Sequence, residues 1–194
     1  MAEQISTKDK IVDAAWKLFH EKGYENTTVE DIISASKTSK GTFYYYFERK
    51  DALLDTLSTI FDHQYEKLEK EIEPDLNSYD KLLYMNYEMH LFIEEHIDVD
   101  LLSSLYSTQL LPKAKSNLLD QNRVYYKLVA DIIEEGQKRG QITKDKSVRE
   151  ITKYYTLCER ALISDWCLNR GNYSLAGYSK EYMPFMLQAL KVTE

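Results

Sequence analysis

Residues 27–50 read T-T-V-E-D-I-I-S-A-S-K-T-S-K-G-T-F-Y-Y-Y-F-E-R-K, two short helix patterns separated by a turn too tight to be a linker. Thr27 with Glu30 forms a T-x-x-E capping box, which predicts a helix from residue 28. Val29, Ile32 and Ile33 supply its apolar stripe at i, i+3 and i+4. Ser34, Ser36, Thr38 and Ser39 continue a helix poorly but cap and turn well, because short polar side chains compete for backbone groups. Ser39 therefore caps a second helix running to about Phe47. Helix, four-residue turn, helix is the arrangement whose second helix enters the DNA major groove.

At about 100° per residue, the second helix sorts its side chains onto two faces. Phe43 and Phe47 lie one turn apart on an inward face, while Gly41, Thr42 and Tyr45 point the other way with Tyr44 and Tyr46 on the flanks. An ordinary surface helix would carry Glu and Lys there. A glycine lets backbone come close to a duplex, a threonine can meet a base edge, and phenols can donate to phosphate. Lys40 and Lys50 bracket the helix as phosphate contacts, and Thr28 joins them from the start of the preceding helix. The competing reading, an aromatic stripe belonging to the core, fits only Phe43 and Phe47.

The run S-K-G-T-F-Y-Y-Y-F, preceded by T-T-V-x-D-I and followed by Lys50, resembles the recognition segment of the TetR family of transcriptional repressors. The likeness is close over residues 8–55 and rests on length and helix layout beyond them. It implies an all-α chain with an N-terminal three-helix helix-turn-helix DNA-binding domain, residues 1–50. A C-terminal helical bundle, residues 51–194, would bind a ligand and form the dimer. Lys37 stands where the family usually has Gly, Thr38 where it has Val, and Arg49 where a capping Ser or Asn is usual. A left-handed Lys37 costs about 1 kcal/mol.

Composition agrees with that outline. The 194 residues suffice for a sizeable core, and six Gly and three Pro without β-branched runs favour helices. The net charge of −7 looks wrong for a DNA binder until it is divided. Residues 1–50 hold eight Lys/Arg and eight Asp/Glu, whereas 51–194 hold 17 and 24. Within 37–50, Lys37, Lys40, Arg49 and Lys50 face only Glu48. The positive patch is local, and an acidic body disfavours other binding orientations. No apolar run has the length of a membrane span or the form of a signal peptide, so a cytoplasmic location is expected.

Along the chain, Ser6 with Asp9 caps helix 1, whose buried stripe is Ile11, Ala15, Leu18 and Phe19, ended at Lys22-Gly23. Helix 4 is expected from near Lys50 to about Ile72, stopped by Pro74 and acting as a link between the two domains. Later helical patterns cover 77–96, 99–111, 118–139, 147–170 and a last one ending near Lys191, with Pro184 as a kink or an irregular start.

Of 16 Tyr, 12 lie beyond residue 50. A phenol in a core needs a hydrogen-bond partner, so this enrichment suggests a cavity with apolar walls and a few polar points. Tyr84, Tyr87, Phe92, Tyr106, Tyr126, Tyr155 and Trp166 are the candidate walls, each with a core or rim placement as the bland alternative. Glu88, Glu159 and Arg160 are possible anchors for which surface placement is expected. Leu157, Ala161, Ser164 and Leu168, with Tyr182, Phe185, Met186 and Ala189, form a second face suited to a four-helix dimer interface.

Enzyme chemistry has little support: there is no phosphate loop, nucleophile elbow or zinc-spaced cluster. His90 and Glu94 with His96 nearby are a weak metal candidate, and Cys158 and Cys167 fall on opposite helix faces. No metal or cofactor is expected. The expectation is a dimeric regulator, most simply a repressor, released from a palindromic DNA operator by a small apolar or aromatic effector. The alternatives are an architectural or partner-binding DNA-binding protein of the same build without an effector, and a ligand binder whose reading head has lost DNA.

Overall fold

The computed structural model describes residues 6–110 and 117–192. Among them it forms α1 (Thr7–Lys22), α2 (Val29–Ser36), α3 (Lys40–Tyr46), α4 (Thr56–Glu71), α5 (Ser78–His96), α6 (Val99–Gln109), α7 (Val124–Lys138), α8 (Val148–Leu168) and α9 (Leu175–Met186). The described residues contain no strand beyond an isolated bridge between Ile142 and Lys191. The all-α class is therefore as expected. No described helix is long and apolar enough to cross a membrane. The chain packs as two compact units, the described residues of Met1–Ile60 and Asp100–Leu118 in one, those of Phe61–Val99 and Leu119–Glu194 in the other.

In the first unit, α1 opens on the expected capping box. Ser6 Oγ accepts from the Asp9 amide at 3.1 Å, and the Asp9 carboxylate accepts from the Ser6 amide at 3.2 Å. Gly23 closes it at φ 82°, a conformation that favours glycine. Ile11, Ala15 and Phe19 of α1, Ile32 of α2 and Phe43 of α3 are buried, as are Leu53, Leu54 and Leu57; Leu18 is only half-buried. Each buried Ile, Leu or Phe contributes about 1.5–3 kcal/mol.

The continuous helix expected from Lys50 is interrupted. Lys50–Leu53 form a 3₁₀ turn, and α4 begins at Thr56. Two bonds fix the break: the Trp16 indole donates to Thr56 Oγ1 at 2.9 Å, and that hydroxyl donates to the Leu53 carbonyl at 2.6 Å. A side chain at the start of α4 is thereby tied to α1.

In the second unit, α5 packs on α9 and α7, and α8 on α7 and α9. Gly136 of α7 is closely covered: a Cβ there would lie 2.7 Å from Ile142 and 2.8 Å from Ser78. Pro184 sits inside α9 near its end, and the Tyr79 hydroxyl donates to the Pro184 carbonyl at 3.1 Å. The helix ends at Met186, five residues before the expected Lys191, and a 3₁₀ turn over Gln188–Leu190 follows.

Candidate nucleic-acid interface and the bundle interior

The cap of α2 lies one residue later than expected. Thr28 is the N-cap, its Oγ1 accepting from the Asp31 amide at 3.2 Å while the Asp31 carboxylate accepts from the Thr28 amide at 2.8 Å. The chain offers T-x-x-E and T-x-x-D in adjacent registers, and burial selects between them. Thr27 is buried and its hydroxyl donates to the Gly23 carbonyl at 2.8 Å, which holds the α1–α2 turn. Thr28 is left at the exposed lip of α2.

The α2–α3 turn is made by Lys37 in the left-handed region, φ 55° and ψ 39°, its amide reaching the carbonyls of Ile33 and Ser34. Ser39 then caps α3, accepting from the Thr42 amide at 3.0 Å. Phe43 and Phe47 are buried with rings 5.9 Å apart. The opposite face is open: Tyr45 is 81% exposed, Tyr44 and Tyr46 46% and 39%. Edge-on ring contacts hold the phenols in place, Tyr44 on Phe43 at 5.4 Å and Tyr46 on Tyr45 at 4.9 Å. Thr42 is half-buried, its hydroxyl 2.7 Å from that of Ser39. Gly41 is exposed, and a Cβ there would meet Ser39 Oγ at 3.8 Å, an ordinary contact. The free head does not need a glycine at this position.

The two lysines that bracket α3 behave differently. Lys40 Nζ reaches Glu30 at 3.1 Å in a solvent-exposed pair, which keeps the Glu30 carboxyl below its ordinary range. Exposed pairs are weak, so this ammonium can exchange its carboxylate for a phosphate. Lys50 departs from the expectation of a phosphate contact. Its Nζ is turned into the protein, donating to the carbonyls of Tyr24 and Thr27 at 2.8 and 3.0 Å and lying 4.0 Å over the Tyr24 ring. Tyr24 OH in turn donates to Asp51 at 2.8 Å. In the free head Lys50 is a fastening of the α1–α2 turn.

In the second unit the expected wall residues do not converge. Tyr155 is fully buried, donating to the Leu82 carbonyl at 3.0 Å, and Trp166 donates to the Tyr173 carbonyl at 2.9 Å. Both are packed core. Tyr84, Tyr87 and Phe92 are half-buried on α5, with Phe92 stacked on His96 at 4.7 Å. Tyr106 belongs to the first unit. Tyr126 lines a cleft of about 850 Å³ between α7 and α8, with Leu119, Ala130, Val148 and several cations.

The largest surprise is Glu159, expected at the surface and found 3% exposed. It accepts from Tyr65 OH at 3.2 Å, Asn86 Nδ2 at 3.3 Å and Tyr125 OH. Asn86 Nδ2 also lies 3.4 Å from His90 Nε2, and His90 Nδ1 bonds Ser179 Oγ. One polar chain thus crosses the interior through α4, α5, α7, α8 and α9. Burial pushes the Glu159 carboxyl up to about 7, against the hydrogen bonds that favour its charge, and burial pulls His90 down to about 3. The sequence did carry a signal: Glu159 falls on the apolar stripe Tyr155, Leu162, Trp166 at helical spacing. A charge inside such a stripe is buried with partners or breaks the helix.

The weak metal candidate disperses. His90 is buried in this chain, His96 is exposed, and Glu94 holds the start of α9, accepting from Ser174 Oγ and the Ala176 amide at 3.0 Å each. Among the described residues no His, Cys, Asp and Glu group of three or more could hold a metal ion.

Known proteins match this arrangement. Residues 11–57, the segment from α1 into α4, match the family model of bacterial regulatory proteins of the tetR family. The uncharacterised HTH-type regulator YvdT of Bacillus subtilis is 27% identical over 146 residues, covering 74% of each chain. The Bacillus subtilis fatty acid metabolism regulator is 22% identical over 183 residues, covering 93% of this chain and 94% of its own. The whole fold superposes on that of Thermus thermophilus FadR, a repressor solved in complex with lauroyl-CoA, with a TM-score of 0.75 at 21% identity over 96% of both chains. The relatives are regulators of transcription rather than enzymes. The segment that carries the helix-turn-helix thus matches the tetR family of bacterial regulatory proteins, and the chain as a whole shares the fold of a TetR-family repressor.

Proposed function

We propose that the protein is a dimeric repressor that grips a two-fold operator with α3 of each protomer and releases it when an acyl-CoA-type effector occupies the second unit. The observation that carries the reading is the outward face of α3. Gly41 and three propped phenols are exposed there beside the half-buried Thr42, and the fold does not need a glycine at 41, while Phe43 and Phe47 fix the helix from behind. Thr42 and Gly41 would approach base edges, and Lys40, Thr28, Tyr44, Tyr45 and Tyr46 would contact the backbone. Lys50 would hold the turn that aims them.

Dimerisation is supported by an unpartnered apolar face. Leu157 is 56% exposed, Leu168 82% and Phe185 75%, and they share α8 and α9 with exposed Ala161 and Tyr182. Burying such a face against its two-fold copy would remove it from water and set two reading helices about 34–36 Å apart. The acyl-CoA class is supported by the lauroyl-CoA complex of the Thermus protein and the fatty acid metabolism regulator. Coupling to DNA would run through α4, the helix that carries Tyr65 onto the Glu159 chain.

The test is fluorescence anisotropy with a duplex from the protein's own promoter, at several salt concentrations, with and without lauroyl-CoA. Binding that weakens steeply with salt and is reversed by lauroyl-CoA is expected. Absence of duplex binding at low salt overturns the regulator reading at this promoter. Binding that lauroyl-CoA leaves unchanged overturns the effector class alone. Light scattering at micromolar concentration checks the dimer, and a monomer would remove it.

A further inference from the structure

The α7–α8 cleft has an unusual charge for its surroundings. Residues 61–99 and 119–194 carry 15 Lys/Arg against 21 Asp/Glu, yet Lys127, Arg149, Lys153 and Arg160 all line this one cleft. Its single lining carboxylate, Glu150, is engaged as the α8 capping box, accepting from the Ser147 amide at 2.9 Å and hydroxyl at 2.8 Å. Among the described residues none of the four cations forms an ion pair. Arg149, Lys153 and Arg160 recur at i, i+4 and i+11 on α8, so they share one stripe of the helix. Lys127 faces them from α7 beside the small Ala130.

Apart from the Gln121 amide and the Tyr126 hydroxyl, the side-chain donors left for a ligand in the cleft are cationic. The hydroxyls of Thr152 and Thr156 donate back to the helix carbonyls of Val148 and Lys153 at 2.8 and 3.1 Å. Arg160 Nη1 lies 3.3 Å from Tyr126 OH, which fixes one guanidinium edge against the cleft wall. The apolar part of the lining, Leu119, Ala130 and Val148, is adjacent to these charges. Four guanidinium and ammonium groups gathered with a single lining carboxylate beside an apolar wall match a ligand that is polyanionic at one end and apolar at the other.

We propose that this cleft binds the polyphosphate end of an amphipathic effector, Arg149, Lys153, Arg160 and Lys127 neutralising its phosphates. The site deepens the acyl-CoA reading above and rests on it for the identity of the ligand. A phosphate group relieves the mutual repulsion of the four cations, and the apolar wall lets the adjoining chain leave the cleft without facing water. A fatty acid without the nucleotide would lack most of this attraction.

Titration calorimetry on the full chain tests it with three probes: lauroyl-CoA, coenzyme A alone and lauric acid. The wild type is compared with an Arg149→Gln/Lys153→Gln double variant and with Lys144→Gln, an exposed lysine outside the cleft. Thermal unfolding and duplex binding without effector serve as controls of folding. The expected result is at least tenfold weaker lauroyl-CoA and coenzyme A binding in the double variant, no change in Lys144→Gln, and lauric acid binding unaffected. Equal binding of lauroyl-CoA to wild type and double variant overturns the cleft while leaving the acyl-CoA reading intact. Coenzyme A binding that the double variant loses, together with duplex binding indifferent to lauroyl-CoA, upholds the anion site and overturns the effector reading. No binding of either thioester or coenzyme A by the wild type overturns the cleft proposal.

Discussion

The outward face of α3 and the interior around Glu159 both concentrate tyrosines, with opposite consequences. On α3 the phenols are exposed, with ring contacts from Tyr44 to Phe43 and from Tyr46 to Tyr45. Inside the bundle, Tyr65 and Tyr125 are buried and donate to one carboxylate, and Tyr155 donates to a backbone carbonyl. Where a phenol has an internal partner it is structural, and where it has none on an exposed helix it is available to something outside. Tyrosine count alone therefore does not mark a cavity. Partner geometry decides.

The sharpest break of this contrast is at the seam between the two faces of α3. Phe43 is fully buried, and Phe43→Ala should destabilise the protein by about 3–5 kcal/mol through lost burial and the cavity left behind. Urea unfolding measures it. Loss of less than about 1 kcal/mol would mean that α3 is not anchored from behind, and its outward face would lose its definition.

Next comes the pH dependence of the interior chain. The folded carboxyl of Glu159 titrates at about 7 rather than its ordinary 4.5, so the folded protein keeps a proton that the unfolded chain releases. Stability from this group therefore falls as pH rises between those values. His90, held near 3 rather than 6.5, acts the other way: the unfolded chain takes up a proton the folded one refuses, and stability rises with pH in that range. In the overlap, roughly pH 4.5–6.5, the two slopes offset each other. Glu159→Gln removes one of them, so the variant's stability should gain on the wild type by up to about 1.4 kcal/mol per pH unit across that window. Parallel stability profiles for the two proteins would show that Glu159 is solvated and that the chain of hydrogen bonds does not hold it.

These two regions also differ in how far they could be read from residues alone. The α2–α3 segment follows local rules, which is why Ser39 as cap, Phe43 and Phe47 as anchors and the open phenol face all appear where spacing puts them. Local rules left one ambiguity, Thr27 against Thr28, because only tertiary burial separates two adjacent capping registers. Lys50 was read as a surface cation since nothing local reveals carbonyls that lie more than twenty residues upstream. The bundle interior was legible as helices and stripes but not as a network. Glu159 meets residues from three other helices and the sequence states none of those pairings, although its place inside an apolar stripe hinted at burial. The cleft was missed for the same reason: the cations of α8 show their common stripe in the sequence, but Lys127 and the gap opposite belong to packing.

A smaller effect separates function from fold within α3 itself. Gly41→Ala meets no clash in the free protein, where the nearest foreign atom to its Cβ is Ser39 Oγ at 3.8 Å. Glycine in a helix is less favourable than alanine by about 0.5–1 kcal/mol, so the variant should be slightly more stable. A methyl on the surface that approaches the duplex should nonetheless weaken operator affinity by about tenfold, roughly 1.4 kcal/mol. Anisotropy and thermal unfolding on the same sample check both. Unchanged affinity would move the contact surface away from Gly41.

The smallest expected effect lies in the turn that aims α3. Lys37 has φ 55° and ψ 39°, where an L side chain crowds its own backbone by about 1–2 kcal/mol. Lys37→Gly removes that strain but makes the unfolded chain more flexible, which takes back about 0.5–1 kcal/mol. A net gain of about 0.5–1 kcal/mol should remain, visible as a Tm higher by a few degrees. Its amide bonds to Ile33 and Ser34 are backbone bonds and survive the change. The lysine is exposed beside the reading helix, so duplex binding supplies an independent readout. If Lys37 touches phosphate, the variant's salt dependence should become shallower by about one counterion, because each neutralised phosphate sets that slope. Stability and salt slope then report separately on the two tasks of one residue, and a destabilised variant would show that the left-handed turn carries no strain for glycine to relieve.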